Sequence, residues 1–158
     1  MVPADPQTDS QLVGIKAAAD AMHKRLTVFA AKSSDEIVTA FGAIEQQQVQ
    51  ALVVGSSPTL FERMRLIAAL ALRDDIPACY YERQFVQVGG LVSYGGRRGD
   101  AYRQAGVYAG RILKGEKPGD LPAVFPSKFE LVINLNTAKA MQIALPPTLL
   151  GRADEVIE

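Results

Sequence analysis

Apolar residues recur along the chain at two different periods. Leu12, Ile15, Ala19 and Met22 return every three to four residues, the spacing that gathers side chains on one face of a helix. The polar stretch Thr8, Asp9, Ser10 ahead of them carries oxygens that can cap a helix's free N–H groups. The apolar run 26–31 predicts a strand. Ser33 or Ser34, with Asp35 or Glu36 close behind, opens a second helix whose inner face is Ile37, Phe41 and Ile44 and which ends in Gln46, Gln47 and Gln48. A short strand is expected over 51–54. Pro58 then begins a third helix carrying Leu60, Met64, Ile67 and Ala71, ended by Asp74, Asp75, Ile76 and Pro77 before a strand over 78–81.

These three strands start about 25 residues apart, each separated by a helix. That rhythm belongs to βαβ units, whose crossovers cover both faces of a parallel sheet. It predicts an α/β fold, a three-layer lobe with a mostly parallel sheet. After Tyr81 the rhythm breaks, because the strand over 90–94 begins only about ten residues later, too soon for a helical crossover of about a dozen residues. This strand is expected either to run antiparallel or to leave for a second sheet. A helix over 100–114 with Gly115 as its C-cap follows, then a Pro-rich connector over 118–126 and a last strand over 129–135. Asn136 and Thr137 would cap a short helix, Pro146 and Pro147 would stop it, and the tail 148–158 would form one more. The chain enters its first helix from a loop, so the first strand of the lobe is expected to be missing. Buried backbone left without partners is costly, which predicts a homo-oligomer whose second copy covers the gap.

With 158 residues, 48% of them hydrophobic and 22% charged, the chain can bury one substantial core. Its 17 Lys and Arg match its 17 Asp and Glu, so no net field draws a polyanion, and nucleic acid is excluded as a partner. The single Cys79 lies in an apolar run, a buried thiol rather than a nucleophile, and no internal disulfide is possible. Residues 1–6 hold neither a basic nor an apolar segment, so the chain is expected to carry no export signal. The longest apolar stretch, 66–72, falls far short of the roughly 20 residues that cross a bilayer.

Candidate chemistry is sparse. Ser56 and Ser57 follow a strand and precede a helix, where open α/β sheets bind ligands; Ser57 equally suits a helix cap. The run Gly95 to Asp100 invites a phosphate reading but fits neither common phosphate-loop pattern, and its arginines suit a solvated turn as well. His23 stands near the end of the first helix, where the dipole favours cations. One histidine and one apolar-flanked cysteine build neither a triad with a convincing base nor a zinc site, and no carboxylates are paired for acid–base work. Tyr80, Tyr81, Glu82, Arg83 and Phe85 cluster at the end of the third strand. They offer aromatic walls and one charge of each sign, which suits a small zwitterion, although Tyr80 and Phe85 equally suit a core.

Several stretches carry a family likeness: Gly90-Leu91-Val92-Ser93-Tyr94-Gly95, Asp100-Ala101-Tyr102-Arg103, Ile112 to Pro118 with Asp120-Leu121-Pro122, Lys128 to Leu135, Thr137 to Ala140, Pro146-Pro147 and Leu150 to Glu158. Together they resemble the two-lobed periplasmic binding proteins of ABC transporters, the type that includes tryptophan- and tyrosine-binding members. The resemblance implies a periplasmic-binding-protein type I-like fold of which this chain is the C-terminal half, the N-terminal lobe being missing. On it, 1–90 is a C-terminal-type α/β lobe and 91–158 a crossover segment, last strand and terminal helices. It further implies a small solute such as an amino acid, gripped between two lobes without chemistry, an ABC permease as partner, no cofactor, and a periplasmic or membrane-anchored location for the longer protein. Carried over by position, the pocket comprises Ser56 and Ser57, Glu82 and Arg83, and the segment from Ser93 and Tyr94 to Tyr102. Where relatives often have a neutral turn, this chain has Gly96-Arg97-Arg98-Gly99. The rivals are a nucleotide- or flavin-binding enzyme domain using Gly95 to Asp100, and a ligand-sensing regulatory domain.

Overall fold

The computed structural model describes residues 1–3, 8–125 and 128–158. Its first elements are strand β1 (Val2–Pro3), helix α1 (Thr8–Ala21), strand β2 (Ala30–Ala31) and helix α2 (Ser34–Gln46). Helix α2 begins as its residues predict. The Ser33 hydroxyl accepts from Glu36 N–H (3.2 Å), and the Glu36 carboxylate accepts from Lys32 N–H (2.9 Å), satisfying donors that a helix start leaves free. Strand β3 (Leu52–Val53), helices α3 (Pro58–Glu62) and α4 (Met64–Arg73) and strand β4 (Ala78–Tyr80) follow. Beyond them come α5 (Arg83–Gln87), β5 (Val92–Gly96), α6 (Arg98–Leu113), a 3-10 turn at Pro118–Asp120 and β6 (Phe129–Asn134). The chain closes with α7 (Leu135–Ala140), α8 (Pro147–Leu150) and β7 (Glu155–Ile157).

Five strands form one sheet in the order β3-β4-β5-β6-β7, parallel throughout except between β5 and β6. Strands β1 and β2 pair in parallel beside it. The two sheets meet at the end of β3, where Gly55 N–H donates to Met1 O (2.7 Å). Read across the molecule the order begins β2-β1-β3-β4-β5, in which the winding reverses at the first strand. Right-handed crossovers then place α1 on one face and α2 and α4 on the other, and α2 packs on α4 accordingly. The result is the three-layer, mostly parallel α/β arrangement expected from the strand rhythm.

The details differ from expectation in several places. The strand thought to be missing is present: Val2–Pro3 lies between β2 and β3, so the chain itself fills the gap for which a second copy was invoked. Two residues leave no apolar run to recognise. Strand β5 is neither antiparallel to β4 nor in a second sheet, since Cys79 and Tyr80 pair in parallel with Val92 and Ser93. The five-residue α5 makes the crossover, shorter than the dozen or so residues usual for one. Consequently one sheet takes strands from both sides of residue 90. The run 26–31 forms a strand only at Ala30–Ala31, and the third helix is broken at Arg63 into α3 and α4. Helix α1 begins at Thr8 itself, so Thr8 to Ser10 are its first turn; residues 4–7 lie outside the described residues, as does Pro126. Asn134, not Asn136 or Thr137, caps α7, its side-chain oxygen accepting from Thr137 N–H (3.0 Å). The tail forms α8 and β7 in place of a single helix.

The core lies between the sheet and the α2/α4 layer. Ile37, Phe41 and Ile44 of α2 meet Ile67 and Leu70 of α4 over Leu52, Val54 and Ala78, all buried. Phe85 of α5 is inserted among aromatic rings, stacked on Tyr80 (centroids 4.6 Å apart) and edge-on to Phe61 (6.2 Å). This insertion anchors α5, and with it the loop after β4, at the carboxyl end of the sheet. By contrast α6 contains no buried residue, and Tyr102, Val107, Ile112 and Leu113 along it are exposed.

Candidate functional site

Ligands of open α/β sheets bind outside the carboxyl ends of the parallel strands. There, the loop after β4, strand β5 and the first turns of α6 bound an open cleft of about 670 Å³. From the β4 side it is lined by Tyr81, Glu82, Arg83 and Gln84, and from α6 by Arg98 and Tyr102. Buried Ser93 and half-buried Gly95 of β5 also line it. A Cβ on Gly95 would fall 2.0 Å from Tyr81 O, so β5 passes the end of β4 at a distance only glycine allows. That contact accounts for Gly95 without any phosphate. The Tyr81 hydroxyl donates to Ser57 O (2.8 Å), tying the loop after β4 to the start of α3.

Ion pairs knit the cleft. Arg83 donates to Glu130 of β6 (3.2 Å) and to Glu155 of β7, so the loop after β4 is fastened to the last two strands. Arg98 Nε stands 3.3 Å from Glu82 Oε1, and its guanidinium carbon lies 5.1 Å from the Phe61 ring centroid, within the range of a cation–π contact. Arg97 Nη2 is 3.5 Å from Asp154 Oδ1, and Arg103 is 3.1 Å from Asp100 on the same helix. Burial pushes the Glu82 carboxyl above its ordinary value, while Arg98 pulls it down. Burial likewise raises the Cys79 thiol, which keeps it in the weakly nucleophilic thiol form. The assembly can hold a polar or charged molecule between aromatic surfaces.

Of the residues proposed from sequence, Glu82, Arg83, Ser93 and Tyr102 come together around the cleft. Tyr94 does not line it: neighbouring strand residues point to opposite faces, and Tyr94 stacks on Phe129 (5.4 Å). Ser57 is buried and caps α3, its hydroxyl facing Leu60 N–H at 3.5 Å. Ser56 N–H donates to Gln11 Oε1 (3.0 Å) and Ser56 O accepts from Gln11 Nε2 (2.9 Å), so the backbone group offered to an anion is taken by the chain's own first helix. Tyr80 and Phe85 are core. Of the other lining side chains, Tyr81 was offered as an aromatic wall and Arg97, Arg98 and Asp100 as part of the run after Tyr94, whereas Gln84, Arg103 and Glu130 were not proposed. Two signals were available in the sequence: the arginine pair that departs from the family's neutral turn, and Glu130 as a lone carboxylate among the apolar residues from Phe129 to Ile133.

A model of the family described as ABC transporter substrate binding protein matches residues 3–157. Among solved structures, an ABC domain in complex with L-Trp from Streptococcus pneumonia aligns with TM-score 0.87 at 25% identity, over 99% of this chain and 56% of that one. A conserved domain protein from Vibrio cholerae O1 biovar El Tor aligns with TM-score 0.86 at 23% identity, over 98% of this chain and 53% of that one. The ligand-free, open structure of a substrate binding protein with adhesive properties from Clostridium difficile aligns with TM-score 0.70 at 19% identity, over 99% and 53%. These last two likenesses establish the fold. The chain spans about half the length of all three. No curated protein matches it.

Proposed function

The chain belongs to the ABC transporter substrate-binding protein family, and from that premise we propose that it grips a small solute, an amino acid first among the candidates, beside Glu82 and Arg98 and passes it unchanged to an importer's permease. Family membership implies a small-molecule solute, a permease partner and an extracytoplasmic place of work. The observation that carries the reading is the cleft itself. It opens at the carboxyl ends of the parallel strands and combines Tyr81 and Tyr102 with charges of both signs, which fits a small polar molecule held by few, directed contacts. The complex of the similar ABC domain with L-Trp supports starting with amino acids.

The lobe in this proposal takes in β5, β6 and β7 as well as residues 1–90, because all five strands from β3 to β7 share one sheet. Helix α6, with no buried residue, is the part that a second lobe would cover; a second copy of the chain would pack on the same surface. Thermal denaturation with amino acids on one side and nucleotides and flavins on the other tests the function, since a ligand bound only to the folded state raises the melting temperature by mass action. A rise with amino acids supports solute binding. A rise confined to nucleotides or flavins overturns it in favour of a nucleotide-binding enzyme domain.

A further inference from the structure

We propose that Arg97 and Arg98 form the anion-binding pair of this cleft and that the solute presents a carboxylate to them, an inference that rests on the solute-binding reading above. Four arginines line the cleft, and they are not equivalent. Arg83 is committed: it neutralises Glu130 and Glu155 on neighbouring strands, and withdrawing it would leave two carboxylates facing each other. Arg103 is mostly exposed and pairs with Asp100 three residues earlier along its own helix. That is a helix-surface contact of the kind that contributes little.

Arg97 and Arg98 are held loosely by comparison. Each has a single carboxylate contact, at 3.5 Å to Asp154 and 3.3 Å to Glu82. Neither guanidinium makes a side-chain hydrogen bond among the described residues, and their side chains are 45% and 47% exposed. Asp154 is shared, since its other oxygen accepts from Leu131 N–H (2.9 Å). Arg98 rests over the Phe61 ring, and stacking of this kind leaves the in-plane N–H donors of a guanidinium available for a planar, two-oxygen acceptor.

Their position adds to the case. Two adjacent cations repel each other, and these two occupy the N-cap and first residue of α6, with no side chain capping that end. Cations there are disfavoured by the helix dipole. A bound anion reverses both penalties at once. Glu82, Asp100 and Glu130 also line the cleft and would repel a phosphate dianion more than a singly charged carboxylate, so the carboxylate is the better fit.

The test is a binding screen of the full chain against small carboxylic acids, each paired with its amide, with inorganic phosphate as a separate arm. Hits are repeated on Arg97→Gln, Arg98→Gln and Arg98→Lys. The expected result is an acid bound on the order of tenfold more tightly than its amide, the gain of a charge-assisted hydrogen bond. That ratio should fall toward one in both glutamine variants and to an intermediate value in Arg98→Lys. The ratio is internal to each variant, so a general loss of folding does not mimic the effect. Equal binding of acid and amide, or a ratio unchanged in the variants, overturns the anion pair while leaving solute binding intact. Phosphate binding that outcompetes every acid overturns the carboxylate assignment. A screen in which no solute of any charge binds overturns the solute-binding reading and this inference together.

Discussion

Tyr80 shows how tightly single positions are constrained near the cleft. Its ring is stacked on Phe85 (4.6 Å), and its hydroxyl is buried without a hydrogen-bond partner among the described residues. A buried polar group left unpaired costs about 1–3 kcal/mol. Tyr80→Phe keeps the ring and removes the penalty, so the variant is expected to be more stable than the parent by about 1 kcal/mol in urea or thermal unfolding. A clear loss of stability would show that the hydroxyl has a partner after all. Much at this scale was hidden in the sequence. Ser56 looked available to an anion, yet its N–H is bonded to Gln11, 45 residues away. Arg83 looked like one half of a zwitterion site, yet its carboxylates come from 47 and 72 residues further along the chain. Pairings at such separations are set by the packing of whole strands, and nothing adjacent in sequence records them.

Helix ends were more legible. Gly115 was expected to close α6, and it does so at φ 98°, with Gly115 N–H bonded to Ile112 O and Glu116 N–H to Arg111 O, the paired bonds of a Schellman ending. Among the described residues four further helix ends use the same left-handed turn without glycine: His23, Gln48, Asp75 and Gln142 have φ of 53°, 51°, 50° and 53°. Each is followed by a residue whose N–H reaches back into the helix, as Val49 does to Ile44 O (3.1 Å) and Ile143 to Ala138 O (2.9 Å). A side chain in this region costs about 1–2 kcal/mol, of which glycine's greater freedom when unfolded returns part. Gln48→Gly and Gln142→Gly are therefore each expected to stabilise the protein by about 0.5–1 kcal/mol, read as a shifted urea midpoint at constant slope. A fall in midpoint for both would mean that the turns are not strained. The elements that sequence reading missed or misplaced are the short ones. Strand β1 has two residues and helix α5 has five, too few for either period to repeat, and what holds α5 is the burial of Phe85 and Val86 rather than any propensity of its own.

For the molecule as a whole, the spacing of strands and helices from Leu26 to Tyr81 was enough to predict a layered, mostly parallel α/β lobe, because that architecture repeats one unit. The order of β5, β6 and β7 was not predictable in the same way, since each follows a different kind of connection. The cleft was located by its general place at the strand ends, whereas its charge pattern emerged only once α6 had been set beside the loop after β4. Helix α6 itself is the anomaly of the molecule. It spans 16 residues without burying one, and Gly106 and Gly110 sit in its interior, each costing up to about 1 kcal/mol relative to alanine. Isolated helices of this length are marginal in water. In the chain alone, α6 should therefore open as a separate cooperative unit, its amides over 102–113 exchanging with deuterium orders of magnitude faster than those of α4 or β4, which exchange only when the whole lobe unfolds. Equal protection in α6 and α4 would refute this. Whatever covers α6 must first pay to order it, so contact with that surface and the ordering of the arginine-bearing first turn are a single event, and the cleft's affinity becomes a readout of whether α6 is docked.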